Sequence, residues 1–317
     1  MHPYRGRLRV SVLSARLSES TEHGGLARFT LTFVEAGENA HPTAKTDTAS
    51  VVDAAAEAAQ DLALADFADL FSIVGASFLA ADALATLLSA LTGIRSAANG
   101  LLGNDSIGPA FLYQLTAAEG QVESQLTTPQ PLALSLYEPI RDLGRMAGAL
   151  PGIAALRGLF AWTAPANRNY PLITAAPTPT QARQAANRTA ITQLVRRAAL
   201  IEAARAAAGV AFDSRTDAVI LRNDLDEQLD AVAYTASDSV YRGLMALRVA
   251  MIRHVDAVSL DLKPKVSYLP TRTQPALVLA YRLYGDAIRE ADIVSRNRTI
   301  RHPGFVRGGE TIEVLES

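Results

Sequence analysis

The sequence has no cysteine, which excludes disulfides, thiolate zinc sites and thiol redox chemistry and permits a reducing compartment. Catalytic signatures are also missing. There is no Gly-x-x-x-x-Gly-Lys-Ser/Thr, no Gly-x-Gly-x-x-Gly after a strand, no Gly-x-Ser-x-Gly and no His-Glu-x-x-His. The usual constellations for phosphate, dinucleotide, acyl transfer and zinc are therefore absent. The histidines His2, His23, His41, His254 and His302 share no metal-ligand spacing. No catalytic residue, cofactor or metal is expected, and the chain does not read as an enzyme.

Charge of one sign is lacking too. Net charge is -2; residues 1–179 carry 11 basic and 16 acidic side chains and residues 180–317 carry 19 and 16. Neither half reads as a dedicated polyanion binder. Long apolar runs are cut short: between Leu62 and Leu102, Asp66, Asp69, Asp82 and Arg95 leave stretches of about a dozen uncharged residues, short of the roughly twenty a bilayer span needs. A buried or oligomer-facing Ala/Leu helix pair is expected there, with transient contact to a membrane or apolar partner as the alternative. No stable membrane span is expected. No secretory signal is visible, because Met1-His-Pro-Tyr-Arg-Gly-Arg7 runs straight into a strand pattern, so a cytoplasmic start is expected.

What is present is a folding sequence: 317 residues, 49% apolar, enough for one large core or two smaller ones. Leu8-Arg-Val-Ser-Val12 and Ala27-Arg-Phe-Thr-Leu-Thr-Phe33 alternate around the turn signal Glu22-His-Gly-Gly25. This predicts a β-hairpin with Leu8, Val10 and Val12 on one face of the first strand and Phe29, Leu31 and Phe33 on one face of the second. A lone hairpin is marginal in water, so either a partner chain completes the sheet or the hairpin is mobile.

Helix formers run from Ser50 to about Ala98, with Gly75 and Gly93 as expected breaks. Residues 100–131 read as a long connection or short helices. Helical signal returns over 132–160, interrupted by Pro139 and Pro151, before a loop from Thr163 to Pro179. Thr178-Pro-Thr-Gln181 is a capping box with proline at the first helical position; Gly209 ends the helix it opens. From Leu225 to Val258 apolar residues recur every three or four positions, and a continuous helix from Asp213 would span about 70 Å. Such a stripe suits either a helical hairpin against the preceding helix or a bundle shared between subunits. Arg242, Arg248, Arg253 and His254 share this region with Asp224, Asp226, Glu227, Asp230 and Asp238, which favours a salt-bridged solvated face.

The last fifty residues read strand, helix, helix, strand. Pro275 opens a helix with Leu277, Val278, Tyr281, Leu283 and Tyr284 as apolar positions, and Gly285 allows a left-handed stop. Asp286 or a neighbour caps a second helix holding Ala291, Ile293 and Val294, Pro303-Gly304 breaks it, and Gly308-Gly309 turns into Thr311-Ile-Glu-Val-Leu315. Ala280-Tyr-Arg-Leu-Tyr-Gly-Asp286, Ile293-Val-Ser-Arg-Asn297, Pro303-Gly-Phe-Val306 and Gly308-Gly309 before an alternating strand together resemble a LysM module. The alternative is any small α+β cap on a helical protein. Arg289, Arg296, Arg298, Arg301, His302 and Arg307 cluster here, diluted by Asp286, Glu290 and Asp292. The expected order of roles is protein interface, solvated surface, then nucleic acid.

The fold class expected is α+β, mainly α. Its regions are residues 1–45, the remnant of an N-terminal β domain; 46–177, Ala/Leu-rich helices and linkers; 178–262, a long helical hairpin; and 263–317, a LysM-like β-α-α-β domain.

A wider resemblance rests on His2-Pro-Tyr-Arg-Gly-Arg-Leu-Arg-Val10, Glu19-Ser-Thr-Glu-His-Gly-Gly25 with the strand to Gly37, and Arg296-Asn-Arg-Thr-Ile-Arg-His-Pro-Gly-Phe-Val306. These are similar to the DNA circularisation proteins of Mu-like phages, whose members carry further residues ahead of the His-Pro-Tyr segment, so the N-terminal domain reads as truncated. The resemblance implies a noncatalytic structural component of a contractile tail at the junction of tube, hub and baseplate. Its implied partners are hub, tail-tube and sheath-proximal proteins and further copies in a three-fold or six-fold oligomer. The implied location is the virion after assembly in the host cytoplasm. A second implied role, holding DNA ends after injection, is less favoured by the near-neutral charge. The expected contact residues are Tyr281, Tyr284, Arg296, Arg298, Arg301, Phe305 and Arg307, with Asn297 structural.

Overall fold

A computed structural model describes residues 10–20, 24–35, 47–99, 101, 108–146 and 148–316. The chain divides into two compact units, Met1–Thr46 and Asp47–Ser317. The fold is mainly helical, with ten α-helices among the described residues.

The first unit is a hairpin of β1 (Val10–Ser20) and β2 (Leu26–Glu35), paired antiparallel with an irregularity between Val12 and Ser14. Gly24 and Gly25, just ahead of β2, take positive φ values that glycine adopts without steric cost. Val12, Ala15 and Leu17 pair with Phe33, Leu31 and Phe29, which puts one apolar side chain opposite another along a single face. That face is open within the unit, with Phe29 70% exposed. Leu8 lies outside the described residues.

The second unit starts with α1 (Thr48–Leu70), capped by the Asp47 carboxylate, which accepts from Ala49 and Ser50 N–H. Gly75, with φ 130°, separates it from α2 (Ser77–Ala98). Then come α3 (Gly108–Gln125), α4 (Pro129–Arg145), α5 (Ala149–Phe160), α6 (Pro179–Ala207), α7 (Arg215–Ala233) and α8 (Asp238–Ser259). Helix α6 is central, packing on α1, α2, α4, α5, α7 and α8. Its Ala190, Ile191, Leu194, Val195, Ala198, Ala199, Leu200 and Ile201 are all buried, and so are Gln184, Asn187, Arg188, Arg197 and Glu202, so it is enclosed around much of its circumference and its buried polar groups need partners. The Thr178–Gln181 capping box that starts it is formed.

Four sequence expectations are corrected. Residues 100–131 contain α3, whose Phe111, Leu115, Ala118 and Val122 are buried at helical spacing, although glutamines and glutamates between them dilute the pattern. Gly93 does not break α2; a Cβ there would lie 2.9 Å from the Trp162 indole nitrogen, so glycine is needed for that close approach. Pro139 sits inside α4 and Pro151 in the first turn of α5 without ending either. The stretch from Asp213 is not a rod: residues Tyr234–Ser237 break it, and α7 and α8 pack on each other.

Helix α2 is long and apolar enough to cross a membrane. In this fold its Leu79, Leu87, Leu91 and Ile94 are buried in the protein core, and Asp82, 1% exposed, pairs there with Arg188. The same cluster holds the following strap: Arg188 and Gln184 both donate to the Tyr170 carbonyl, and Asn167 donates to Asp82.

Past α8 come β3 (Lys265–Tyr268), α9 (Ala276–Tyr284), a 3₁₀ turn (Ala287–Arg289), α10 (Glu290–Arg296) and β4 (Ile312–Leu315). Strands β3 and β4 pair antiparallel over a small core of Ala276, Leu279, Ala280, Ile293, Val306, Ile312 and Val314.

Candidate functional site

The α10–β4 connection carries most of the predicted contact residues and is held at both ends. Asn297, buried at the end of α10, donates to the Ile293 and Glu313 carbonyls and accepts from Glu313 N–H at 2.8 Å. Gln274 and Val306 exchange two backbone hydrogen bonds, Ala276 N–H donates to the Pro303 carbonyl, and Gly309 N–H donates to the Pro270 carbonyl. At Gly308 a Cβ would sit 2.6 Å from the Arg272 backbone, so only glycine passes. The connection is thus pinned to residues 270–276.

On its outer side Arg298, Arg301, His302, Phe305, Arg307 and Glu310 line an open depression of about 750 Å³. Val306 and Ile312, both buried, contribute to its lining. Arg307 pairs with Glu310 at 3.2 Å, an exposed pair of little stabilising value. Arg298 and Arg301 form no salt bridge among the described residues and are exposed. Phe305 is 67% exposed, and its ring is tilted 51° against the His302 ring at 5.6 Å. The His302 ring is itself oriented by Gly304 N–H, which donates to Nδ1.

The other predicted contact residues lie elsewhere. Arg296 is largely buried and donates to the Asp292 carbonyl at 2.7 Å, within its own helix. The Tyr284 hydroxyl accepts from Leu315 N–H, and the Arg289 guanidinium sits 3.9 Å over its ring. Both side chains brace the module. Tyr281, 64% exposed, lies on the outer side of α9 with Leu277 and Val278, two exposed apolar residues given no surface role from sequence.

The sequence did not single out the joint between helices and module. The Ser214 hydroxyl caps α7, Arg215 N–H donates to the Lys263 carbonyl, Lys265 N–H donates to Thr216, and Lys265 Nζ reaches Asp217 at 2.8 Å. Burial alone would raise the Asp217 carboxyl, but hydrogen bonds from Lys265 and Ser214 outweigh it and hold the group below its usual range. In the core, the Tyr137 hydroxyl donates to the Glu202 carboxylate at 2.7 Å, and burial pushes both groups up. Among the described residues no three His, Asp or Glu side chains are placed to hold a metal ion.

Charge is unevenly distributed along the chain. Residues 263–317 carry nine basic and six acidic side chains, and residues 1–262 carry 21 and 26. The module is cationic on an anionic chain.

No protein-family model matches the sequence. Over 109 residues the chain is 31% identical to a protein of Haemophilus influenzae described as a Mu-like prophage FluMu DNA circularization protein. The match covers 33% of this chain and 24% of that relative. The similarity supports a phage-related origin for the matched part.

Proposed function

We propose that this chain belongs with the DNA circularisation proteins of Mu-like phages and is a noncatalytic structural component of a contractile phage or prophage-derived tail. It works at the junction of tube, hub and baseplate through protein contacts. The observation that carries this reading is the pinned, cationic and aromatic surface at Arg298, Arg301, His302, Phe305 and Arg307. The Arg298 and Arg301 guanidiniums, without a salt bridge among the described residues, beside an exposed aromatic ring are the composition of an interface anchor, and a rigid loop lowers the cost of docking. The β3, α9, α10, β4 order, with Gly285 in the left-handed region and Asn297 bridging helix and strand, supports the LysM-like reading of this module. Its role here is adhesive, toward neighbouring proteins of the particle.

The relative's name favours a second reading, in which the chain holds DNA ends. Light scattering of purified protein with titration of duplex DNA at low and moderate salt separates the two. Assembly predicts an oligomer indifferent to DNA; a compact monomer whose DNA affinity falls steeply with salt would replace that reading with the second.

A further inference from the structure

We infer that the depression between Arg298 and Glu310 receives an acidic segment of another protein that carries an apolar or aromatic side chain. The inference rests on the assembly reading and names the chemistry of the partner.

Three observations choose this occupant. The first is how β4 is closed. Asn297 holds both the N–H and the carbonyl of Glu313, and the Tyr284 hydroxyl takes Leu315 N–H, so three backbone groups along this side of β4 are already bonded. Strand addition on that side would have to displace them, and recognition falls to side chains.

The second is the composition of the depression. Arg298 and Arg301 offer planar forks suited to carboxylates, and the exposed Phe305 ring, backed by His302, offers one apolar platform. Desolvating Phe305 needs an apolar side chain, and satisfying the two guanidiniums needs carboxylates close by. An acidic stretch with one aromatic or aliphatic residue supplies both.

The third argues against nucleic acid. Duplex DNA presents about one charge per 1.7 Å and is held by long basic tracks. Here the basic groups span a single connection, Glu310 sits among them, and residues 1–262 bear an acidic excess of five. Single strands are gripped on successive aromatic platforms; this depression has one exposed phenylalanine. A short acidic peptide meets the cationic patch without traversing the anionic remainder.

The test uses the full chain and a short fluorescent glutamate-rich peptide with a central phenylalanine, read by anisotropy. A lysine-rich peptide and an oligothymidine of equal length serve as comparisons. The acidic peptide is expected to bind, with affinity lowered at least tenfold by Arg298→Glu with Arg301→Glu, severalfold by Phe305→Ala, and not at all by Arg253→Glu on α8. These positions are exposed, so unchanged far-ultraviolet circular dichroism and melting separate lost binding from lost fold. No binding, binding unaffected by the double substitution, or tighter binding of oligothymidine at moderate salt would overturn the inference. A chain found in particles that ignores the peptide refutes this inference alone; a chain that binds the peptide but never enters particles refutes the assembly reading alone.

Discussion

Asn297 grips Glu313 at two points, accepting from its N–H at 2.8 Å and donating to its carbonyl at 2.7 Å. The amide thereby does the work of a missing strand: it satisfies one residue of β4 and fixes where the cationic connection begins. Asn297→Asp keeps the acceptor but loses the donor and sets a carboxylate against the Ile293 and Glu313 carbonyls. A buried unpaired group costs about 1–3 kcal/mol. Hydrogen exchange should report faster exchange at Glu313 and Leu315 than in the parent, with α6 amides unchanged.

Gly308 and Gly285 predict different outcomes for the same substitution. At Gly308 the obstacle is Arg272 backbone, which cannot swing aside, so Gly308→Ala should displace the connection and weaken capture at Arg298 and Arg301. At Gly285 there is open space but φ is 71°, so Gly285→Ala should cost about 1–2 kcal/mol of local stability and leave the depression in place. Peptide binding and melting of the two variants distinguish them.

Acid should loosen the joint at Asp217. Its folded pKa is depressed, so its contribution is present above the unfolded value of about 3.9 and is lost as pH falls through the lower folded value. Below about pH 4 the module should gain exchange at Lys265 before the helical core does. Asp217→Asn should remove that pH dependence.

The buried pair Asp82–Arg188 is expected to behave asymmetrically. Asp82→Ala strands a guanidinium that is 5% exposed and should cost about 3–5 kcal/mol in denaturant unfolding. Asp82→Leu with Arg188→Met should recover most of that loss while leaving the strap tied at Tyr170 through Gln184 alone, which would be seen as faster protease cleavage between 163 and 178.

Legibility in the sequence followed the range of the forces involved. The Thr178 capping box, the Gly285 stop and the hairpin alternation depend on neighbours within a few positions, and their residues state them openly. Helix α3 was obscured because its buried apolar side chains Phe111, Leu115, Ala118 and Val122 are interspersed with glutamines and glutamates that solvate its outer face. Gly93 read as a breaker because the Trp162 ring it accommodates lies 69 positions away. In the same way, the seven expected contact residues are a list in sequence but fall in three places in space, with Tyr281 alone on the outer side of α9. Arg298, Arg301, Phe305 and Arg307 share one depression, whereas Arg296 and Tyr284 are used up by Asp292 and Leu315. Which guanidinium faces inward depends on helix phase within the module, and near-identical Arg spacing conceals it.

The most direct measurement is the protein content of purified particles induced from the host that carries this gene, read by mass spectrometry and cryo-electron microscopy. The account predicts the chain in the tail at fixed stoichiometry, depleted when Arg298→Glu and Arg301→Glu are introduced together. Particles with complete tails that lack this chain, with the protein instead recovered on DNA, would contradict it.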